Sequence, residues 1–254
     1  MKPLIVMPTY NELANLERSI QKIELLKVDR SSDQIFANLS VLVVDDNSPD
    51  QTGALADSLA STRPWLCVLH RSKKEGLGGA YLAGFEWALS RDFTHVLEMD
   101  ADGSHRVEDL PAMLTAAQSS DLSIGSRWID GGAVQNWPWY RQAISRFGNS
   151  YAKFMLRSNI NDMTAGFRVF SAKLLRTMDL SGIAAHGYGF QVEMAWRAEK
   201  LGAQITEVPI TFVERTVGRS KMTYGIVAEA LWLVTLWGFK SYKSAWPPAR
   251  RARM

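Results

Sequence analysis

Short unbroken apolar runs alternate along this chain with longer stretches in which apolar residues recur every three to four positions. The short runs predict strands at Leu4–Met7, Val41–Val44, Leu66–Leu69, Val96–Met99 and Leu122–Ile124. The periodic stretches predict helices over Glu12–Val28, Thr52–Ser61, Gly79–Ser90, Val107–Ala117 and Trp139–Leu156. Strands that are apolar at every position, rather than at every second one, are expected where a sheet is covered on both faces. Alternating strands and helices of this kind predict an α/β fold with a mostly parallel central sheet. No internal repeat, low-complexity tract or linker interrupts the pattern, and 254 residues suffice for a sizeable core.

Polar residues collect where the predicted strands end, the edge at which open α/β sheets bind ligands. The first strand runs into Pro8-Thr9-Tyr10-Asn11-Glu12, and the second into Asp45-Asp46-Asn47-Ser48-Pro49-Asp50. The fourth runs into Asp100-Ala101-Asp102, and the fifth into Gly125-Ser126-Arg127. Two carboxylates one residue apart suit Mg²⁺ or Mn²⁺, ions that take few protein ligands and fill their shell from water and phosphate oxygens. A polar turn with solvated aspartates is the alternative reading. An EF-hand is excluded, because Gly103 stands at the fourth position and that loop requires glycine at the sixth.

Composition narrows the picture. A single cysteine, Cys67, excludes an internal disulfide and a cysteine-rich zinc site. The four histidines lack metal-ligand spacing, with His105, beside the paired carboxylates, the one of interest. Leu4-Ile5-Val6-Met7 is too short for a signal-peptide core, and no run approaches the roughly 20 apolar residues of a membrane span. The expected location is therefore cytoplasmic. Five of the 29 basic residues lie beyond Glu229, which leaves 24 basic against 26 acidic residues up to that point. The positive charge belongs to the tail, which argues against nucleic acid as a partner.

No G-x-G-x-x-G follows the first strand and no P-loop lysine motif occurs, so a nicotinamide cofactor is not expected. In order, the chain carries Pro-Thr-Tyr-Asn-Glu, Val-Asp-Asp-Asn-Ser-Pro-Asp, Gly-Leu-Gly-Gly-Ala-Tyr, Asp-Ala-Asp-Gly-Ser-His, Gly-Ser-Arg, Thr-Ala-Gly-Phe-Arg and Val-Pro-Ile-Thr-Phe-Val-Glu-Arg. With this set it resembles the family 2 GT-A glycosyltransferases of the dolichyl- or polyprenyl-phosphate mannose synthase type, in particular their actinobacterial polyprenol monophosphomannose synthases. The resemblance implies a single Rossmann-like GT-A domain over residues 1–225, followed at 226–254 by an amphipathic helix and basic tail without a transmembrane helix.

The resemblance further implies that Pro8, Tyr10, Glu12, Val43 and Asp45 hold guanine and ribose, and that Ala101 lets the backbone approach the nucleotide. Asp100 and Asp102 would hold the metal against the diphosphate, while Arg127, Arg215 and Lys221 would neutralise phosphate charge. Ser104 stands where some relatives carry a glutamine ligand, and Arg219 where relatives often carry an acid. Asp162 reads either as an orienting group for the acceptor or a cation, or as a helix cap. The implied reaction moves mannose from GDP-mannose to a polyprenyl monophosphate, with UDP-glucose as the alternative donor. A phosphate monoester is mostly dianionic at pH 7, so no general base is expected, and one displacement gives the β-anomer.

Glu214–Lys221 follows the apolar run Val208–Val213 and reads as a loop with three cations around Gly218. Ile226–Phe239 reads as a helix at a membrane surface, or as an ordinary core helix with a solvated tail. A lipid acceptor favours the membrane, with a separate anchor protein as a possible partner.

Overall fold

The computed structural model describes residues 1–183, 188–214 and 224–243. The first strand, β1 (Pro3–Thr9), leads through α1 (Leu13–Asp29) and the short α2 (Gln34–Ala37) to β2 (Ser40–Asp45). Then follow α3 (Thr52–Ala60), β3 (Leu66–His70), α4 (Gly76–Leu89) and β4 (His95–Glu98). A 3₁₀ turn at Val107–Asp109 leads into α5 (Leu110–Ala116), β5 (Leu122–Ser126), β6 (Ala133–Gln135) and α6 (Trp139–Leu156). The last elements are β7 (Arg168–Ser171), α7 (Ala172–Thr177), α8 (Tyr188–Lys200), β8 (Ile205–Pro209), β9 (Thr211–Val213) and α9 (Tyr224–Lys243).

Seven strands form the main sheet in the order β3-β2-β1-β4-β7-β5-β8, parallel except for β7, which runs antiparallel between β4 and β5. All five predicted strands and five predicted helices are present, with ends moved by a few residues. The predicted helix over Val107–Ala117 divides into the 3₁₀ turn and α5. Sequence reading missed α2, β6, β7, α7 and α8, and it took Val208–Val213 as one run. The structure divides that run into the end of β8, buried Ile210 and β9, which pairs with β6 in a second small sheet.

Successive β1 residues serve opposite faces, which explains their uniform hydrophobicity. Leu4 and Val6 pack with α4 and α8 residues, whereas Ile5 and Met7 pack with α1 and α5 residues. A helix must lie close against the first of these faces, and Gly84 of α4 allows it. A Cβ at Gly84 would stand 2.4 Å from Val6 Cγ1. The chain leaves β1 towards β2 and β3, then crosses back to place β4 on the other side of β1. That reversal of strand order opens the crevice where such folds bind ligands.

Candidate active site

Two loops frame one side of the crevice, and carboxylates tie them together. Asp45, at the end of β2, accepts hydrogen bonds from Thr9 Oγ1 (2.9 Å), Ser48 Oγ (2.6 Å) and Ser48 N (3.0 Å). Asp50 accepts from Leu13 N, Thr52 N and Thr52 Oγ1. Burial alone would raise its pKa, but these donors favour the charged form and hold it below the usual carboxylate value. Asn11, Asn47 and Gln51 adopt positive φ angles in these loops, a conformation that asparagine tolerates better than most residues. The loops are thus braced by their own hydrogen bonds.

The residues assigned to guanine and ribose are distributed unevenly around this frame. Pro8 and Tyr10 are half-buried at the crevice, and Glu12 is buried with its carboxylate accepting from Asn15 Nδ2 at 2.9 Å. Lys74 Nζ lies 3.9 Å from the centroid of the Tyr10 ring, so a cation already stacks on the face expected to receive the base. Val43 is placed differently from Pro8 and Tyr10. It lies mid-strand in β2, fully buried against the α1 and α3 side of the sheet, so its side chain serves the core. Asp45 is also buried, and its carboxylate braces the loop.

The Asp-Ala-Asp turn begins just beyond the last residue of β4. Ala101 is buried, and its carbonyl accepts from Ser19 Oγ of α1 at 2.7 Å, a contact that no sequence pattern flagged. Asp102 Oδ1 accepts from Ser104 N at 3.0 Å, closing a turn in which Gly103 takes φ +80°. Tyr81 Oη donates to Asp100 Oδ1 at 3.2 Å, and His105 Nδ1 accepts from Asp100 N at 3.0 Å. Both carboxylates remain half-exposed. Among the described residues, no group of three or more acids, histidines or cysteines could hold a metal by itself. Two carboxylates without a third such ligand among the described residues fit a hard cation that completes its shell with water and substrate phosphates. Ser104 is buried, and its carbonyl accepts from Val213 N at 3.2 Å.

Two residues before Asp100, Glu98 is fully buried opposite Arg168 of β7. Burial pushes its carboxyl up to about 8, against the opposing pull of Arg168 and the neighbouring Gln191 amide. Neither oxygen reaches a well-formed hydrogen bond. Burial likewise lowers Arg168, to about 10, and its guanidinium donates to the carbonyls of Gln191 and Met163. The arginine of Thr-Ala-Gly-Phe-Arg is therefore an internal brace for the sheet.

Arg127 follows β5 and is also buried. Its Nε and Nη2 donate to the two oxygens of Asp162 at 2.8 and 2.7 Å, a bidentate pair, while its backbone N–H donates to Asp162 Oδ2. Burial favours protonation of Asp162, but the charge and hydrogen bonds of Arg127 outweigh it and hold the pKa low. Asp162 is thus held in a buried pair with Arg127. Thr164 and Asn149 extend the network. Arg215, Arg219 and Lys221 lie outside the described residues. Glu214, immediately before them, pairs with Arg141 of α6. It also lines a cavity of about 250 Å³ together with Asp102, Arg18, Lys22, Arg106 and Gln135. Glu214 therefore stands at the rim of the space beside Asp102.

Comparison with known proteins fits this arrangement. Residues 4–178 match the pattern of "Glycosyl transferase family 2". The chain is 50% identical over 238 residues to an undecaprenyl-phosphate mannosyltransferase of Micrococcus luteus, covering 94% of each. It is 44% identical to a polyprenol monophosphomannose synthase of Mycolicibacterium smegmatis, covering 94% of this chain and 88% of the relative. Among solved structures, glucosyl-3-phosphoglycerate synthase from Mycobacterium tuberculosis, in complex with Mn²⁺ and UDP-glucose, superposes with a TM-score of 0.65 at 18% identity, covering 92% of this chain and 77% of that one. With its parallel sheet, its paired aspartates at the crossover and these relatives, the chain belongs to glycosyl transferase family 2.

Proposed function

We propose that this protein transfers mannose from GDP-mannose to a polyprenyl monophosphate, with inversion at the anomeric carbon and with Mg²⁺ or Mn²⁺ held by Asp100 and Asp102. The supporting observation is the half-exposed pair of carboxylates at the end of β4, at the strand-order reversal, in a chain whose relatives are named for mannosyl transfer to such lipids. When bound, the ion would set positive charge against the diphosphate and favour its departure. The protein's own groups do the rest. The braced loops of Asp45 and Asp50 present the crevice in which Pro8, Tyr10 and Glu12 meet the nucleotide. Ala101 brings backbone to the same place, while Val43 supports it from the core. Arg127, aimed by Asp162, joins Arg215 and Lys221 in neutralising phosphate charge. The acceptor phosphate arrives ionised, so attack requires alignment rather than proton removal.

The lipid acceptor implies work at a membrane surface, and α6 supplies a face for it. Trp139, Phe147 and Phe154 are 79%, 65% and 79% exposed, and Tyr140 and Ile144 extend the same surface. This helix contains no acidic residue, and Arg146 and Arg157 stand exposed along it. The neighbouring α9 adds Trp232 and Phe239, 64% and 62% exposed, while its Val234 is buried in the core and Trp237 stacks on Trp196. The helix expected at the membrane is thus partly a core helix, and α6 carries the larger apolar face. No helix among the described residues is long and apolar enough to cross a membrane. The enzyme would bind peripherally at the cytoplasmic face, alone or with an anchor protein.

Labelled transfer to a short polyprenyl phosphate tests the reading, using GDP-mannose and UDP-glucose in parallel, with and without EDTA. Label in the organic phase from GDP-mannose alone, abolished by EDTA, is the expected result. Transfer from UDP-glucose instead would reassign the donor, and transfer undiminished by EDTA would remove the metal.

A further inference from the structure

Tyr81 is an unusual residue for the interior of α4. It is fully buried, and its ring stacks against Phe85 at 6.2 Å and against Phe190 at 6.0 Å with an interplanar angle of 7°. A phenol so enclosed needs a partner for its hydroxyl, because an unmade hydrogen bond in an apolar setting is costly. The hydroxyl's partner is Asp100 Oδ1. The aromatic stack fixes where the hydroxyl stands, and the hydroxyl in turn fixes one oxygen of a carboxylate at the solvent edge.

A second restraint acts on the same residue from the backbone side. The ladder between β4 and β1 continues to Met99, whose N–H donates to Val6 O. At Asp100 the acceptor changes from a backbone carbonyl to the imidazole of His105. Accepting at Nδ1 places the proton of the neutral ring on Nε2. Aromatic neighbours enclose the ring. It stacks on Phe167 at 5.0 Å and 11°, and Phe212 of β9 closes its edge at 5.6 Å and 76°. His105 is buried, as a ring replacing a strand partner should be.

We propose that Tyr81 and His105 are positioning residues that hold Asp100 by its carboxylate and its amide, so that the aspartate is aimed at the donor's metal before that ion binds. Both residues act through Asp100. The inference rests on the metal reading of Asp100 and Asp102 given above. It also explains why a tyrosine, rather than a phenylalanine, stands within an aromatic stack. Hydrogen-bonded outer partners of metal ligands typically change metal affinity by about 10–100-fold when removed.

The test is Mn²⁺ titration followed by electron paramagnetic resonance, on the full chain with GDP present, alongside thermal unfolding without metal. Tyr81→Phe keeps the stack and removes the hydroxyl. His105→Phe keeps an aromatic ring and removes the acceptor, and His105→Asn restores an acceptor near the Nδ1 position. Tyr81→Phe and His105→Phe should each weaken Mn²⁺ binding about tenfold, and His105→Asn should recover most of that loss. In Tyr81→Phe the loss should occur without a matching drop in unfolding temperature, and added Mn²⁺ should restore transfer at unchanged acceptor KM. Mn²⁺ affinity within twofold of the unsubstituted protein in both phenylalanine variants would overturn the proposal. Failure of the unsubstituted protein to bind Mn²⁺, or undiminished binding in Asp102→Ala, would instead overturn the metal reading and this inference with it.

Discussion

Arg127 and Asp162 meet in a space almost closed to water, and their energetics follow from that. The guanidinium engages both carboxylate oxygens and is ringed by Trp128, Trp137 and Phe212 at 5.5–5.6 Å. Removing one member of a buried pair strands the other charge, which typically costs about 3–5 kcal/mol. Asp162→Ala should lose that much in urea unfolding, and the shortfall should appear at pH 7, where the pair is fully ionised. Glu98 gives a prediction of opposite sign in pH. Its carboxyl titrates near 8 in the folded protein against an ordinary 4.5. Below 4.5 it is protonated in both states and its contribution is complete. As pH rises towards 8, the unfolded chain releases the proton first, so stability falls across that window and levels beyond it. Glu98→Gln mimics the protonated acid. The unfolding temperature of the variant, compared with that of the unsubstituted protein in EDTA, should therefore gain steadily from pH 5 to pH 8. Parallel curves for the two proteins would show that Glu98 ionises normally.

At the scale of elements, legibility followed burial geometry. The strands β1, β2, β4 and β5 were readable because both of their faces are covered, which leaves a continuous apolar run. The helices α1 and α6 were readable from their repeats, though α6 turns much of its apolar face to the outside. The strand β7 was not legible. It is four residues long, begins with a charged residue and runs against its neighbours, and only its partners β4 and β5 make it a strand. The same cause hid its chemistry. Arg168 is visible in the sequence only as the last residue of a motif, and its place opposite Glu98 depends on a pairing that joins residues 70 positions apart in sequence. Asp100 and Asp102 were legible because their pattern is local. Ser19, which pins Ala101 from 82 residues away, was not. Val43 illustrates the converse: a position carried over from a resemblance proves to be a core residue once the strand is built.

Seen whole, the molecule joins a polar crevice to an apolar flank through a single helix. The residue Trp137, just before α6, packs against Phe212, and Arg141 in its first turn pairs with Glu214 on the rim of the Asp102 cavity. From there α6 extends for 18 residues, about 27 Å at 1.5 Å per residue, with exposed aromatics as far as Phe154. A lipid whose head must reach the crevice while its tail stays in the bilayer needs such a path. Two forces would hold the protein there, and they differ in their response to salt. The basic residues beyond Glu229 contribute through attraction to anionic headgroups, which is screened within about 8 Å at physiological ionic strength. The aromatics contribute by burial of apolar area, which salt does not weaken. Sedimentation with vesicles containing anionic phospholipid should therefore show binding that falls, but does not vanish, as NaCl rises from 0.05 to 0.5 M. The double variant Phe147→Ser, Phe154→Ser should lose the salt-resistant part and keep the salt-sensitive part, with an unchanged unfolding temperature, since both side chains already face outward. If the double variant binds like the unsubstituted protein at high salt, α6 does not face the bilayer, and the flank must serve a protein partner instead.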